Sequence, residues 1–156
     1  MKTALPIAAL LVLLTACNTK TSTENSQQPA PAIVGTWQLI SGTTIEKNDT
    51  VTTDYTQQQS FIKIINDTHF AFLKHDLNKG KDTATAAFTS GGGRYALTDS
   101  VYTEHLEYCS DRAWEGNDFS FAVTIRNDTL IQQGVEKVES AGVNRINIEK
   151  YVRVKK

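Results

Sequence analysis

The sequence predicts an all-β domain, an up-and-down antiparallel β-barrel of roughly eight to ten strands over residues 33–156, and three observations carry that expectation. Apolar residues alternate with polar ones at a period of two, as strands buried on one face require. Phe119, Phe121, Val123 and Ile125 share one face, as do Phe70 with Phe72, Tyr95 with Leu97, and Ile146 with Ile148 and Val152. Turn signals separate these runs: Asn-Asp-Thr occurs at 48–50, 66–68 and 127–129, and Thr98-Asp99-Ser100 makes a fourth. Asn and Asp tolerate the positive φ angles of tight hairpins. No helical periodicity runs longer than about three turns, which disfavours βαβ architectures. A meander of this length must close or leave long unpaired edges, and a closed barrel removes the edges; a two-sheet sandwich is the alternative.

Taken in order from the N-terminus, Lys2 precedes an apolar run from Ala4 to Leu14 broken only by Pro6, followed by Thr15 and Ala16. This is the layout of an export signal over residues 1–16. The run is shorter than the roughly 20 apolar residues of a bilayer-spanning helix, and no later segment approaches that length. Leu14-Thr15-Ala16-Cys17 resembles the lipobox of bacterial lipoproteins. The resemblance implies cleavage before Cys17 and acylation of its thiol, since a thiolate is the nucleophile that takes the lipid. Two or three acyl chains, of the palmitate type, anchor stably because each buried methylene contributes about 0.8 kcal/mol. Residues 18–32, NTKTSTENSQQPAPA, hold no aromatic or large aliphatic side chain and read, with Cys17, as a flexible tether over 17–32.

The 124 residues from 33 to 156 suffice for one domain with a core of its own. Setting aside Lys2, Lys20 and Glu24 leaves 14 basic and 16 acidic side chains, a formal charge of −2. That balance, without a Lys/Arg cluster, excludes a nucleic-acid interface. With Cys17 acylated, Cys109 has no partner for a disulfide and reads as a small buried hydrophobe. His105, four residues away in the same strand, is expected on the same face but too distant to act as its base.

Gly35-Thr36-Trp37 opens the first strand and resembles the Gly-x-Trp signature of lipocalins, in which the Trp closes the barrel floor. The resemblance implies a basic residue of the last strand packed across the Trp, and Arg153 in Glu149-Lys150-Tyr151-Val152-Arg153 is the candidate. Four stretches, IVGTWQLIS (33–41), FIKIINDTHFAFL (61–73), GGGRYALTDSVYTEHLEY (91–108) and EKYVRV (149–154), are similar to lipocalin-like lipoproteins of gut and environmental Bacteroidota. Members of that group carry no assigned reaction, so the resemblance implies a fold and a compartment. Residues 109–117 are least like the group. Asn18-Thr19-Lys20 lack the acidic cluster that resembles a surface-export signal in such lipoproteins, which implies an anchor in the outer membrane facing the periplasm.

Within the barrel, Val101–Tyr108 is the most informative strand. Tyr102, Glu104, Leu106 and Tyr108 fall on one face, expected inward, and Val101, Thr103, His105 and Glu107 on the other. An inward Glu104 needs a partner or a raised pKa. The candidates are Tyr95, Tyr102 and Tyr108, with Lys74 or Arg153 as counter-charge. Glu104 then serves either to orient a ligand or to join a structural network that fills the barrel. His69 and His75, about 20 Å apart along one strand, cannot share a metal ion and read as solvated residues. Gly91-Gly92-Gly93 lacks the Gly-Lys-Ser/Thr of a phosphate loop and suits a bulge or a bend at a barrel rim. Arg112 and Trp114, in the longest polar loop, either rim a cavity or cap the barrel.

No catalytic constellation and no cofactor motif emerges. The expected function is a membrane-anchored binder of a small apolar or amphipathic molecule, with Trp37, Phe72, Tyr95, Tyr102, Glu104, Tyr108 and Phe121 in its wall. The alternative is a filled barrel acting as an interaction subunit of the cell envelope.

Overall fold

The computed structural model describes residues 32–155. The leader expected over 1–16, the acylation expected at Cys17 and the expected tether up to residue 31 lie outside the described residues.

Nine antiparallel strands follow one another: β1 (Gly35–Glu46), β2 (Asp49–Asp54), β3 (Gln59–Ile65), β4 (His69–Asp76), β5 (Phe88–Thr98), β6 (Val101–Cys109), β7 (Asp118–Arg126), β8 (Thr129–Val138) and β9 (Val143–Arg153). From β3 to β9 each strand pairs with its successor, and β9 returns to pair with β1 from Trp37↔Arg153 to Ile45↔Ile146. The other edge of β1 is shared, its first part pairing with β3 and its second with β2. Between Gln38↔Ile62 and Gly42↔Thr53 the partner chain advances five residues more than a continuous strand would. Strands β2 and β3 are therefore one interrupted wall, and the molecule is a closed eight-walled up-and-down barrel of the lipocalin-like type that the sequence predicts.

The hairpin chemistry is varied. Asn127 and Asp128 both adopt positive φ between β7 and β8, as the triplet predicts. At 66–68 the Asn66 carboxamide instead accepts the backbone N–H groups of Thr68 (2.9 Å) and His69 (2.7 Å), an Asx turn. At 48–50 the positive φ belongs to Lys47, and Asp49 and Thr50 already lie in β2. The tight turns at 66–68, 99–100 and 127–128 cluster at one end of the barrel. The longest described connections, 77–87 and 110–117, lie at the other end. Loop 77–87 exceeds the one expected to be longest, and the Asp76 carboxylate organises it by accepting the N–H groups of Gly80 (2.7 Å) and Ala87 (3.0 Å). These amides hold the Asp76 carboxyl below the usual carboxylate range.

Apolar side chains fill the tight-turn end. Trp37, Leu39, Ile65, Phe70, Tyr102, Phe121, Leu130 and Tyr151 are buried there, each large apolar side chain contributing about 1.5–3 kcal/mol.

Two bulges re-aim the strands. Between Leu39 and Ser41 the β1–β9 register shifts, so Trp37 and Leu39 point inward below it while Gly42 and Thr44 do so above. On β6 the partner of Gly92 is Tyr108 and that of Gly93 is Leu106, which leaves Glu107 as an extra residue. Tyr108, expected to face inward, therefore points outward and is 68% exposed. The same bulge puts Cys109 inward and leaves His105 outward, so the two do not share a face. The glycine run lies within β5 opposite this bulge, as the bulge reading of it expects, and not in a rim bend. A Cβ on Gly93 would collide with the His105 carbonyl oxygen, and only glycine allows the strands to approach so closely there.

The last strand departs further from expectation. Ile146 and Ile148 face outward, whereas Arg145, Asn147, Glu149 and Tyr151 face inward. Register decides this: Tyr151 sits opposite both Leu39 and Leu130, both buried, and with period-two geometry its parity carries down the strand.

Candidate functional site

The floor comes first, since it closes the barrel. The Trp37 indole N–H donates to the Ile33 carbonyl (2.8 Å), tying the incoming chain beneath the barrel. The Arg153 guanidinium lies 4.1 Å from the Trp37 ring centroid. It also donates to the carbonyls of Val34 (2.8 Å) and Ala32 (2.6 Å). Gly35, with φ of +149°, makes room for it, because a Cβ there would strike the guanidinium. Gly35, Trp37 and Arg153 thus form one floor assembly. Arg153 is engaged here and does not serve Glu104.

Above this packed layer the open end holds a cavity of about 840 Å³. Its walls are of two kinds. One bank is aromatic: Phe61 stacks on Phe72 (5.7 Å between centroids) and meets Tyr55 edge-on (5.9 Å), and Phe121 and Trp114 also line the space. Tyr55 belongs to the excursion between β2 and β3, and its N–H donates to the Ile40 carbonyl (2.9 Å) on the β2 edge of β1.

The other bank is a polar network reaching to the cavity base. Lys63 is 3% exposed, and its Nζ lies 2.6 Å from Glu104 Oε1 and 3.1 Å from Gln132 Oε1. Gln132 Nε2 in turn donates to Glu149 Oε2 (2.7 Å), which also accepts the Tyr151 hydroxyl (2.7 Å). The Lys63 ammonium lies 5.3 Å from the Tyr151 ring centroid, with Tyr102 and Phe70 slightly farther. Nearer the opening, Arg145 pairs with Glu136 (2.7 Å), Asn147 donates to Glu136 (2.8 Å), and the Arg145 guanidinium lies 5.6 Å from the Trp114 centroid.

Burial sets the acidities. Desolvation raises the Glu104 carboxyl above its ordinary value, partly offset by Lys63. Desolvation likewise raises Glu136 against the opposing pull of Arg145. Tyr151 rises well above the usual phenol, first through burial and then through the Glu149 charge. Tyr102 rises first through burial and then through the Glu104 carboxylate beside it, and its buried hydroxyl makes no hydrogen bond of normal geometry among the described residues.

Of the residues expected in the wall, Phe72, Glu104 and Phe121 line the cavity. Trp37, Tyr95 and Tyr102 belong to the packed layer beneath it, with the Tyr95 and Tyr102 rings 5.2 Å apart and the Tyr95 hydroxyl donating to the Asn66 carbonyl. Tyr108 is outside. The counter-charge of Glu104 is Lys63, not Lys74, which lies in the cavity wall near the opening. Arg112 and Trp114 border the opening, so the loop rims the cavity. Burial pushes the Cys109 thiol up, which makes it a poor nucleophile. His69 and His75 are exposed on the outer face of β4.

Sequence reasoning missed Lys63, Gln132, Glu136, Arg145, Asn147 and Glu149. A signal existed, since Lys63 lies two residues from Phe61 and from Ile65, and Glu149 two before Tyr151. The flanking Ile62, Ile64, Ile146 and Ile148 masked it by presenting an equally apolar opposite face.

No family model matches the chain, and no curated protein matches it.

Proposed function

We propose that this chain is a membrane-tethered, lipocalin-like binding protein of the bacterial cell envelope that holds one small amphipathic molecule in its barrel. The carrying observation is the open-ended cavity of about 840 Å³, within the range of small-molecule sites, with an aromatic bank facing a charged one. A wholly apolar ligand would strip water from Glu136, Arg145 and Glu149 without replacing it, so the amphipathic form of the expectation is favoured. A filled barrel acting as an interaction subunit would leave no such space. The Gly35–Trp37–Arg153 floor supports membership of the lipocalin superfamily, Leu14-Thr15-Ala16-Cys17 supports lipid attachment, and Asn18-Thr19-Lys20, without an acidic cluster, supports an outer-membrane anchor facing the periplasm.

Native mass spectrometry of the protein purified from its membrane tests the binding reading. A small-molecule adduct is expected, and it should vanish in Thr44→Trp, which fills the cavity from the β1 wall. Absence of any adduct, together with no uptake of the uncharged fluorophore 1-aminoanthracene, overturns it. Metabolic labelling with palmitate, lost in Cys17→Ser, tests the anchor.

A further inference from the structure

The charged side chains lining the cavity are four of each sign, but they do not all find partners. Glu104 is matched by Lys63 and Glu136 by Arg145, whereas Glu149 meets only the neutral donors Gln132 and Tyr151, both on Oε2. No described residue occupies Oε1, and Glu149 lines the cavity. Lys74 and Asp111 also line it without an ion pair, but Lys74 is two residues from the open end of β4 and Asp111 lies in the rim loop. Glu149 lies six residues down β9.

An aromatic surface begins beside this carboxylate. The Tyr151 hydroxyl donates to Glu149, the Tyr151 ring packs edge-on against Phe61 (6.5 Å), and Phe61 continues to Tyr55 and Phe72. A carboxylate with an oxygen that no described residue occupies, beside a run of aromatic rings, is an environment for an organic cation. A ligand anion at this depth would meet the unpaired Glu149, while the neighbouring cations Lys63 and Arg145 are already taken by Glu104 and Glu136.

We propose that the molecule held in the cavity carries a protonated amine, seated on Glu149 Oε1 with its apolar body along Phe61, Tyr55 and Phe72. The inference rests on the binding function proposed above and narrows it, excluding fatty-acid-like ligands that enter head first.

Calorimetric titration of the full chain with three near-isosteric probes, tryptamine, tryptophol and indole-3-propionate, tests it. Tryptamine should bind at least about tenfold tighter than tryptophol, with indole-3-propionate weakest. In Glu149→Gln the tryptamine advantage over tryptophol should disappear. The comparison in the unsubstituted protein stands even if that variant folds poorly. Equal affinities for tryptamine and tryptophol, tightest binding of the acid, or an amine preference undiminished in Glu149→Gln overturns the assignment. Uptake of 1-aminoanthracene with none of the three probes bound also overturns it and leaves the cavity function standing. Failure of all four molecules to bind overturns the amine assignment, and together with no adduct in the native mass spectrum it overturns the cavity function as well.

Discussion

Replacing Lys63 by Met is the most searching perturbation of this barrel. At the observed Nζ to Oε1 separation of 2.6 Å, the gross attraction between Lys63 and Glu104 is about 6 kcal/mol at an effective dielectric of about 20. Desolvating the two ions opposes a similar amount, so the pair adds little net stability. Removing one partner is different: Glu104 stays buried with its charge uncompensated, a loss of about 3–5 kcal/mol at pH 7. The paired substitution Lys63→Met with Glu104→Leu should recover most of this. A residual deficit of about 1–2 kcal/mol remains because the Gln132 oxygen loses its donor. A double-mutant cycle by urea denaturation should therefore give a coupling of at least about 2 kcal/mol.

The pH dependence follows from the direction of the Glu104 shift. Its folded carboxyl lies above the unfolded value of about 4.3, so its contribution is fully present below that pH and is lost as pH rises through the folded value. Without Lys63 the folded value moves higher still. The deficit of Lys63→Met should be smallest near pH 4 and largest at neutral pH. A single variant within about 1 kcal/mol of the unsubstituted protein at pH 7, or a double variant no better than the single, would refute the reasoning.

Further outcomes are expected. Arg153→Ala removes the guanidinium from the Trp37 face and strands two carbonyls, and should lose about 2–3 kcal/mol by thermal or urea unfolding, with altered Trp fluorescence. Tyr102→Phe deletes a buried hydroxyl that makes no hydrogen bond of normal geometry among the described residues and should be neutral or stabilising by up to about 1 kcal/mol, while Tyr108→Ser, on the outside, should change stability by less than about 0.5 kcal/mol. Gly93→Ala drives a methyl into the His105 carbonyl and should lose more than about 2 kcal/mol, with amide shifts by NMR concentrated on β5 and β6. Acidification should release loop 77–87. The depressed Asp76 carboxyl contributes above its unfolded value of about 3.9, and that contribution is lost as pH falls through the lower folded value, read as titration of the Gly80 and Ala87 amide resonances.

Much of the barrel was legible from local pattern. Period-two alternation and Asn/Asp turns act within a few residues, so they identify β7, the hairpin at Asn127-Asp128 and the meander as a whole. Gly-x-Trp, with a basic residue in the closing strand, likewise located the floor. Alternation reports only that a strand has two faces, and for β3, β8 and β9 both faces carry apolar residues. Which face lies inside depends on register and closure, set by residues far apart in sequence such as Leu39, Leu130 and Tyr151. A single extra residue, Glu107, reversed the aim of Tyr108 and Cys109. From the sequence alone came the fold class, the turns, the inward Glu104 and the floor pair. Tertiary structure alone decided that Lys63, Gln132, Glu136 and Glu149 share the interior, because only barrel closure brings strands so distant in sequence around one space, and only mutual pairing makes so many polar groups tolerable there.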